Sequence, residues 1–87
     1  MRYDKDKVDE AVLALLYLTS FGQGKVLRAW KSHDWEALNR LHAKALISDP
    51  RTTAKSVLLS EDGMMRAERL FAELFGADSS SDTSDDA

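Results

Sequence analysis

The stretch from Asp34 to Gly63, DWEALNRLHAKALISDPRTTAKSVLLSEDG, constrains the fold more than any other part of the chain. Ser32 and Asp34 are both candidate N-caps, because their side-chain oxygens can accept from the free amides of a first helical turn. Trp35, Leu38, Leu41 and Ala45 recur at three- and four-residue spacing and make one apolar face of a helix near 34–45. Leu46-Ile47-Ser48-Asp49 leaves that helix and alternates briefly, as a strand near 46–49. Pro50 pre-sets its own φ and cannot continue a ladder, so Asp49-Pro50-Arg51-Thr52-Thr53 is a turn. Lys55-Ser56-Val57-Leu58-Leu59 alternates as a strand near 55–59. Ser60 then caps a further helix, with Glu61 and Asp62 placed well against its dipole. The order predicts a mainly α chain with a small β-hairpin packed on a helical core (α+β).

Two resemblances follow from these residues. LNRLHAKALI and SVLLSEDG are similar to the pattern that closes MarR-type and PadR-type winged-helix domains, L-x-x-L-x-x-K-G-L-I, a basic loop, then V-x-L-T-x-x-G. Leu38, Leu41, Lys44, Leu46, Ile47, Val57, Leu59, Ser60 and Gly63 fall on it. The likeness covers residues 38–63 and implies a winged helix-turn-helix. The longer string AWKSHDW, RLHAKALISDP and AKSV also resembles a family of small bacterial proteins of unknown function, over most of residues 8–75, and implies no activity. Ala45 departs from both, standing where such sequences carry Gly, the residue that ends a helix in αL cheaply. An L-alanine there costs on the order of 1 kcal/mol. Either the helix ends differently or the strain is tolerated.

The remaining elements are placed by periodicity. A first helix near 5–18 starts at Asp4 or Asp6. Val8, Ala11, Val12, Leu15 and Leu16 form its inner stripe, and Leu13, Tyr17 and Leu18 widen that stripe beyond an ordinary face. It is either a central helix packed on two sides or a dimer seam. Phe21-Gly22-Gln23-Gly24 is a linker. A short second helix near 24–31 carries Val26, Leu27 and Trp30 on one side and Lys25, Arg28 and Lys31 on the other. With the helix near 34–45 it would form the helix-turn-helix. A fourth helix near 61–75 places Met64, Ala67, Phe71, Leu74 and Phe75 at helical spacing, and Gly76 ends it. The expected core is Val12, Leu15, Leu16, Val26, Trp30, Leu38, Leu41, Ile47, Val57, Leu59, Ala67 and Phe71. Residues 1–76 make one domain. Residues 77–87, ADSSSDTSDDA, have the composition of a disordered acidic tail.

Composition narrows function by exclusion. There is no cysteine, hence no disulfide, thiol nucleophile or thiolate metal site. No apolar run approaches the roughly 20 residues that span a bilayer, and Met1–Lys7 lacks the apolar core of a signal peptide, so a cytoplasmic address without membrane attachment is expected. The net charge of −3 comes from the tail, because residues 1–77 hold 12 basic and 11 acidic side chains. His33 and His42 complete no metal-ligand spacing, Gly22-Gln23-Gly24 is no phosphate loop, and the sequence shows no positioned base for any serine. No cofactor, metal or catalytic residue is expected, and no enzyme.

The implied winged helix makes double-stranded DNA the first expected partner, in a transcription-regulator role. Lys25, Arg28, Lys31, Arg40, Lys44, Arg51 and Lys55 are the candidate contacts, Arg40 as base reader and Lys25, Arg28, Arg51 and Lys55 as phosphate contacts. Asp34 and Glu36, at the start of the reading helix, oppose this, since affinity comes largely from neutralising phosphate. The alternative is a winged-helix protein-interaction module using Trp35, Glu36, Leu13 and Tyr17. A homodimer would meet through the first and fourth helices.

Overall fold

Asp4 starts the chain's first regular element. Its carboxylate accepts from the amides of Asp6 and Lys7 at 2.9 and 3.2 Å and caps helix α1, Lys5–Leu18. The computed structural model describes residues 1–23 and 26–76. The expectations placed on Gly24, Lys25 and the tail 77–87 lie outside the described residues. After α1 come β1 (Phe21–Gln23), β2 (Val26–Trp30), α2 (Trp35–Ala43), β3 (Ser56–Leu58) and α3 (Glu61–Phe75). The described residues therefore hold three helices and a three-stranded antiparallel sheet in the order β1-β2-β3.

The main correction is at residues 26–30. A strand stands there instead of the second helix expected near 24–31, so the element before α2 is β2 and the nearest preceding helix is α1. The local reason is alternation: Ala29 is fully buried while Val26 and Trp30 are 56% and 52% exposed. Eight residues are too few for a helical period to outweigh the pairing offered by Val57 and its neighbours. Ala29 pairs with Val57, Arg28 with Leu58 and Trp30 with Ser56. Gly22 permits the turn back into β2: its φ is 136°, and a Cβ there would run into the Val26 carbonyl oxygen. The other expected strand, near 46–49, is reduced to one bridge between Ile47 and Leu59.

α1 is the central helix, packed on α3 on one side and on α2 and β2 on the other. This packing matches the central-helix reading, and it buries Leu13 to 1% exposure. Leu13 is thus a core residue and no part of an outer face. Val12, Leu16, Leu38, Leu41, Ile47, Val57, Leu59 and Ala67 are in the core as expected. Leu46, Ala29 and Ala37 join them. Val26 and Trp30 do not, and Leu15 and Phe71 are half-buried.

The junction between α2 and α3 is tied closely. Asp34 caps α2 through the Ala37 amide at 3.0 Å, and Ser60 caps α3 through the Gly63 amide at 2.9 Å. Ala45 has φ 61°, so α2 ends in αL and the alanine carries the strain. The Ala45 amide donates to His42 O at 2.9 Å and the Leu46 amide to Leu41 O at 3.0 Å, the two bonds of a Schellman ending. Ser60 Oγ donates to the Ala45 carbonyl at 2.8 Å and the Ser60 amide to the Leu46 carbonyl at 2.9 Å. Gly63 is required because a Cβ would collide with that same Leu46 oxygen.

Candidate functional site

Two surfaces can carry function, and they differ in how their charges are held. The first lies where α1, α2 and α3 meet. Asp9, on α1, is 1% exposed. Its carboxylate accepts from Arg40 Nε at 2.9 and 2.8 Å and from Lys44 Nζ at 3.3 Å. Arg40 Nη2 lies 2.7 Å from Asp9 Oδ1 at an angle too poor for a hydrogen bond, so the contact there is one of charge. Burial alone pushes the Asp9 carboxyl up, but the hydrogen bonds from Arg40 and Lys44 outweigh it and hold it below its ordinary value of 3.8. Arg40 is held above its ordinary value by the Asp9 bond. Beside this cluster a cleft of about 640 Å³ has an apolar floor of Leu13, Leu41, Leu46 and Leu70, and a rim of both signs that includes Glu10, Arg66, Arg69 and Glu73. Balanced rim charges favour no ligand of either sign.

The second surface is the outer face of the sheet. Ala29 and Val57 point inward, so by alternation Val26, Arg28 and Trp30 point outward, with Ser56 and Leu58. Phe21 pairs with Arg28 and shares its face. Phe21 and Trp30 are 40% and 52% exposed, with ring centroids 5.2 Å apart and planes at 34°. Arg28 Nε donates to Ser56 Oγ at 3.0 Å, which anchors the guanidinium on the same face. At the end of the ladder the Lys31 amide donates to Lys55 O at 3.1 Å, and Lys31 Nζ donates to Thr52 O at 3.0 Å.

Charge is segregated between these surfaces. Residues 19–33 and 50–60, which supply the sheet and its loops, contain Lys25, Arg28, Lys31, Arg51 and Lys55 and no carboxylate. Residues 1–18, 34–49 and 61–76 contain seven cations and eleven carboxylates. The near-neutral total conceals a basic sheet side and an acidic helical side.

The seven cations expected at DNA therefore separate. Arg40 and Lys44 face Asp9. Arg51 bonds Asp49, Nε to Oδ1 at 3.0 Å, and its amide also donates to Oδ1 at 2.9 Å; these bonds hold the Asp49 carboxyl below its ordinary value. Among the described residues Arg28 and Lys31 have only neutral partners. Lys55 is exposed and has no ion-pair partner among the described residues. Lys25 lies outside them. Of the residues expected at a protein partner, Trp35 is 53% exposed, Glu36 is exposed and Tyr17 is half-buried against Phe71. His42 Nδ1 lies 3.2 Å from Ile47 O; burial pushes His33 down. Phe21 and Trp30 were assigned to a linker and to the core by sequence. The signal that finds them is FGQ and VLRAW flanking two residues, a hairpin spacing, together with the run free of acids.

Among the described residues no helix is long and apolar enough to cross a membrane. No solved structure matches the chain. The uncharacterized protein y4hR of Sinorhizobium fredii (strain NBRC 101917 / NGR234) is 47% identical over 75 residues, covering 86% of this chain and 97% of that protein. The likeness to small bacterial proteins of unknown function is thus the one that sequence comparison supports. The model of a domain of unknown function, DUF6429, matches residues 4–77, and the chain belongs to that family.

Proposed function

We propose that this chain is a non-catalytic nucleic-acid-binding protein of transcription-regulator type, and that it binds through its sheet and wing, with α2 set behind them. The observation that carries this reading is the charge segregation: five cations and no carboxylate in the stretches that build the sheet. Three of those cations, Arg28, Lys31 and Lys55, have no carboxylate partner among the described residues. The fold is a winged-helix variant on this reading. α2, the Ile47–Leu59 bridge and β3 stand for the reading helix and wing, and the β1–β2 hairpin stands where the first helix of the pair would be. Arg40, expected as the base reader, is a structural partner of Asp9 instead.

The test is binding of the full chain to random-sequence DNA, duplex and single-stranded, at low and moderate salt. Three phosphate contacts give a slope of log K against log salt of about −2 to −3. No binding at low salt overturns the proposal.

Trp35 favours a second reading. It is half-exposed at the first turn of α2 beside Glu36, in keeping with an aromatic anchor for a protein partner. A homodimer, on this reading, uses the outer end of α3, where Leu74 and Phe75 are half-exposed and Phe75 stacks on Phe71 at 5.5 Å. Sedimentation of wild type and Phe75→Glu tests it; a monomer at high concentration in both rules it out.

A further inference from the structure

We infer that the outer face of the sheet takes single-stranded nucleic acid, with the Phe21–Trp30 pair as the surface on which bases stack. The inference rests on the nucleic-acid reading above and names its substrate class. The two aromatics come from adjacent strands and share one face by register, since Phe21 pairs with Arg28 and Trp30 lies two residues further along β2. Their rings lie 5.2 Å apart, and both are far more exposed than packing requires. Aromatic planes on a solvent-facing sheet recognise the one part of a base that every nucleotide presents, its π face.

Arg28 lies directly opposite Phe21 and two residues before Trp30 on the same strand. Its Nε is used by Ser56, which leaves the other guanidinium N–H groups for phosphate or for stacking. Lys31 and Lys55 adjoin the end of the ladder, but by alternation they continue the Ala29 and Val57 side, so their charge stands at the edge of this face and not on it. No carboxylate lies in either stretch that forms this surface, so a polyanion running across it meets no repulsion from the sheet itself.

A duplex fits this surface less well. Reading its base edges needs polar side chains delivered into a groove, and the helix that would deliver them begins with Asp34, Trp35 and Glu36 and has Arg40 bound to Asp9. Bases in a duplex are stacked on one another and offer no free face to Phe21 or Trp30. A single strand offers both its phosphates and its faces. An acidic peptide would use the cations alone and leave the aromatic pair without a role.

The experiment uses the full 87-residue chain and fluorescein-labelled oligo(dT) and oligo(rU) of about 15 nucleotides, with a mixed-sequence duplex of the same length and poly-glutamate as competitors. Anisotropy is read at low and moderate salt. Single strands are expected to bind at least about tenfold more tightly than duplex. Trp30→Ala and Phe21→Ala are each expected to lose about tenfold for single strands and nothing for duplex. Trp30→Phe retains most of the affinity and guards against misfolding of the alanine variant, which circular dichroism also checks. In a Trp35→Phe background, the remaining fluorescence from Trp30 is quenched on binding. Duplex binding equal to or stronger than single-strand binding, or unchanged affinity in Trp30→Ala, overturns the inference and leaves the nucleic-acid reading standing. Binding to neither nucleic acid overturns both. Displacement by poly-glutamate as effective as by the single strand also overturns the inference, since it makes the face a site for acidic peptides.

Discussion

On the helical side a buried carboxylate, Asp9, holds Arg40 and Lys44; on the sheet side Arg28 and Lys31 are held, among the described residues, only by a hydroxyl and a carbonyl oxygen. The same residue types are stabilising in one place and available for binding in the other. What separates them is the anion. Half-buried and paired with a buried carboxylate, Arg40 is a part of the fold. Anchored by neutral groups, Arg28 keeps its full charge for a ligand. A cation's presence in a sequence therefore says little about its use until its nearest carboxylate is known.

The comparison can be broken most decisively at Arg40. Arg40→Leu leaves the buried Asp9 carboxylate with Lys44 alone, and a buried charge that loses its main partner is strongly destabilising. Thermal melting should show the largest loss of stability among the substitutions considered, with nucleic-acid affinity unchanged for the folded fraction. Weakened binding with an unchanged midpoint would return Arg40 to the role of base reader.

Acid sharpens the same contrast. The folded Asp9 carboxyl lies below its ordinary 3.8, so the unfolded chain binds more protons through that range. Its stabilising contribution is fully present above about pH 5 and is lost as the pH falls through the folded value. Asp9→Asn should be less stable than wild type at neutral pH, with the difference closing on the acid limb. A constant difference down to low pH would mean that the pair does not stabilise through charge.

Smaller effects follow. Ala45→Gly removes the αL strain and is expected to raise stability by up to about 1 kcal/mol; an unchanged or lower melting midpoint would mean the Schellman ending does not form in solution. Lys55→Gln should leave stability within about 0.5 kcal/mol and reduce the salt slope of nucleic-acid binding by about 1. A full loss of stability there would make Lys55 structural, like Arg40.

Much of the helical side was legible in the sequence. Asp4, Asp34 and Ser60 act as caps because short polar side chains before an apolar period have few other uses, and Ala45 declared the αL position by standing where a pattern has Gly. The sheet side was misread where local information is weakest. Val26 to Trp30 carries apolar and basic residues that suit one turn of amphipathic helix and a two-faced strand about equally, and only the pairing with Ser56–Leu58, some thirty positions away, decides between them. That one error moved Trp30 from surface to core and hid the aromatic face. The Asp9–Arg40 pair was invisible for the same reason, since 31 residues separate its members.

The Ser60 junction has a further consequence. Ser60 Oγ reaches Ala45, fifteen positions back, and its amide reaches Leu46, so the segment between them is a loop whose ends are already locked together. The entropy of closing such a loop rises slowly with length, by about 0.6 kcal/mol for each doubling. Thr53, exposed and just past the Thr52 carbonyl that holds Lys31, therefore marks a place where a peptide tag or a fluorophore-bearing segment can be inserted without unseating either helix, away from the Phe21–Trp30 pair.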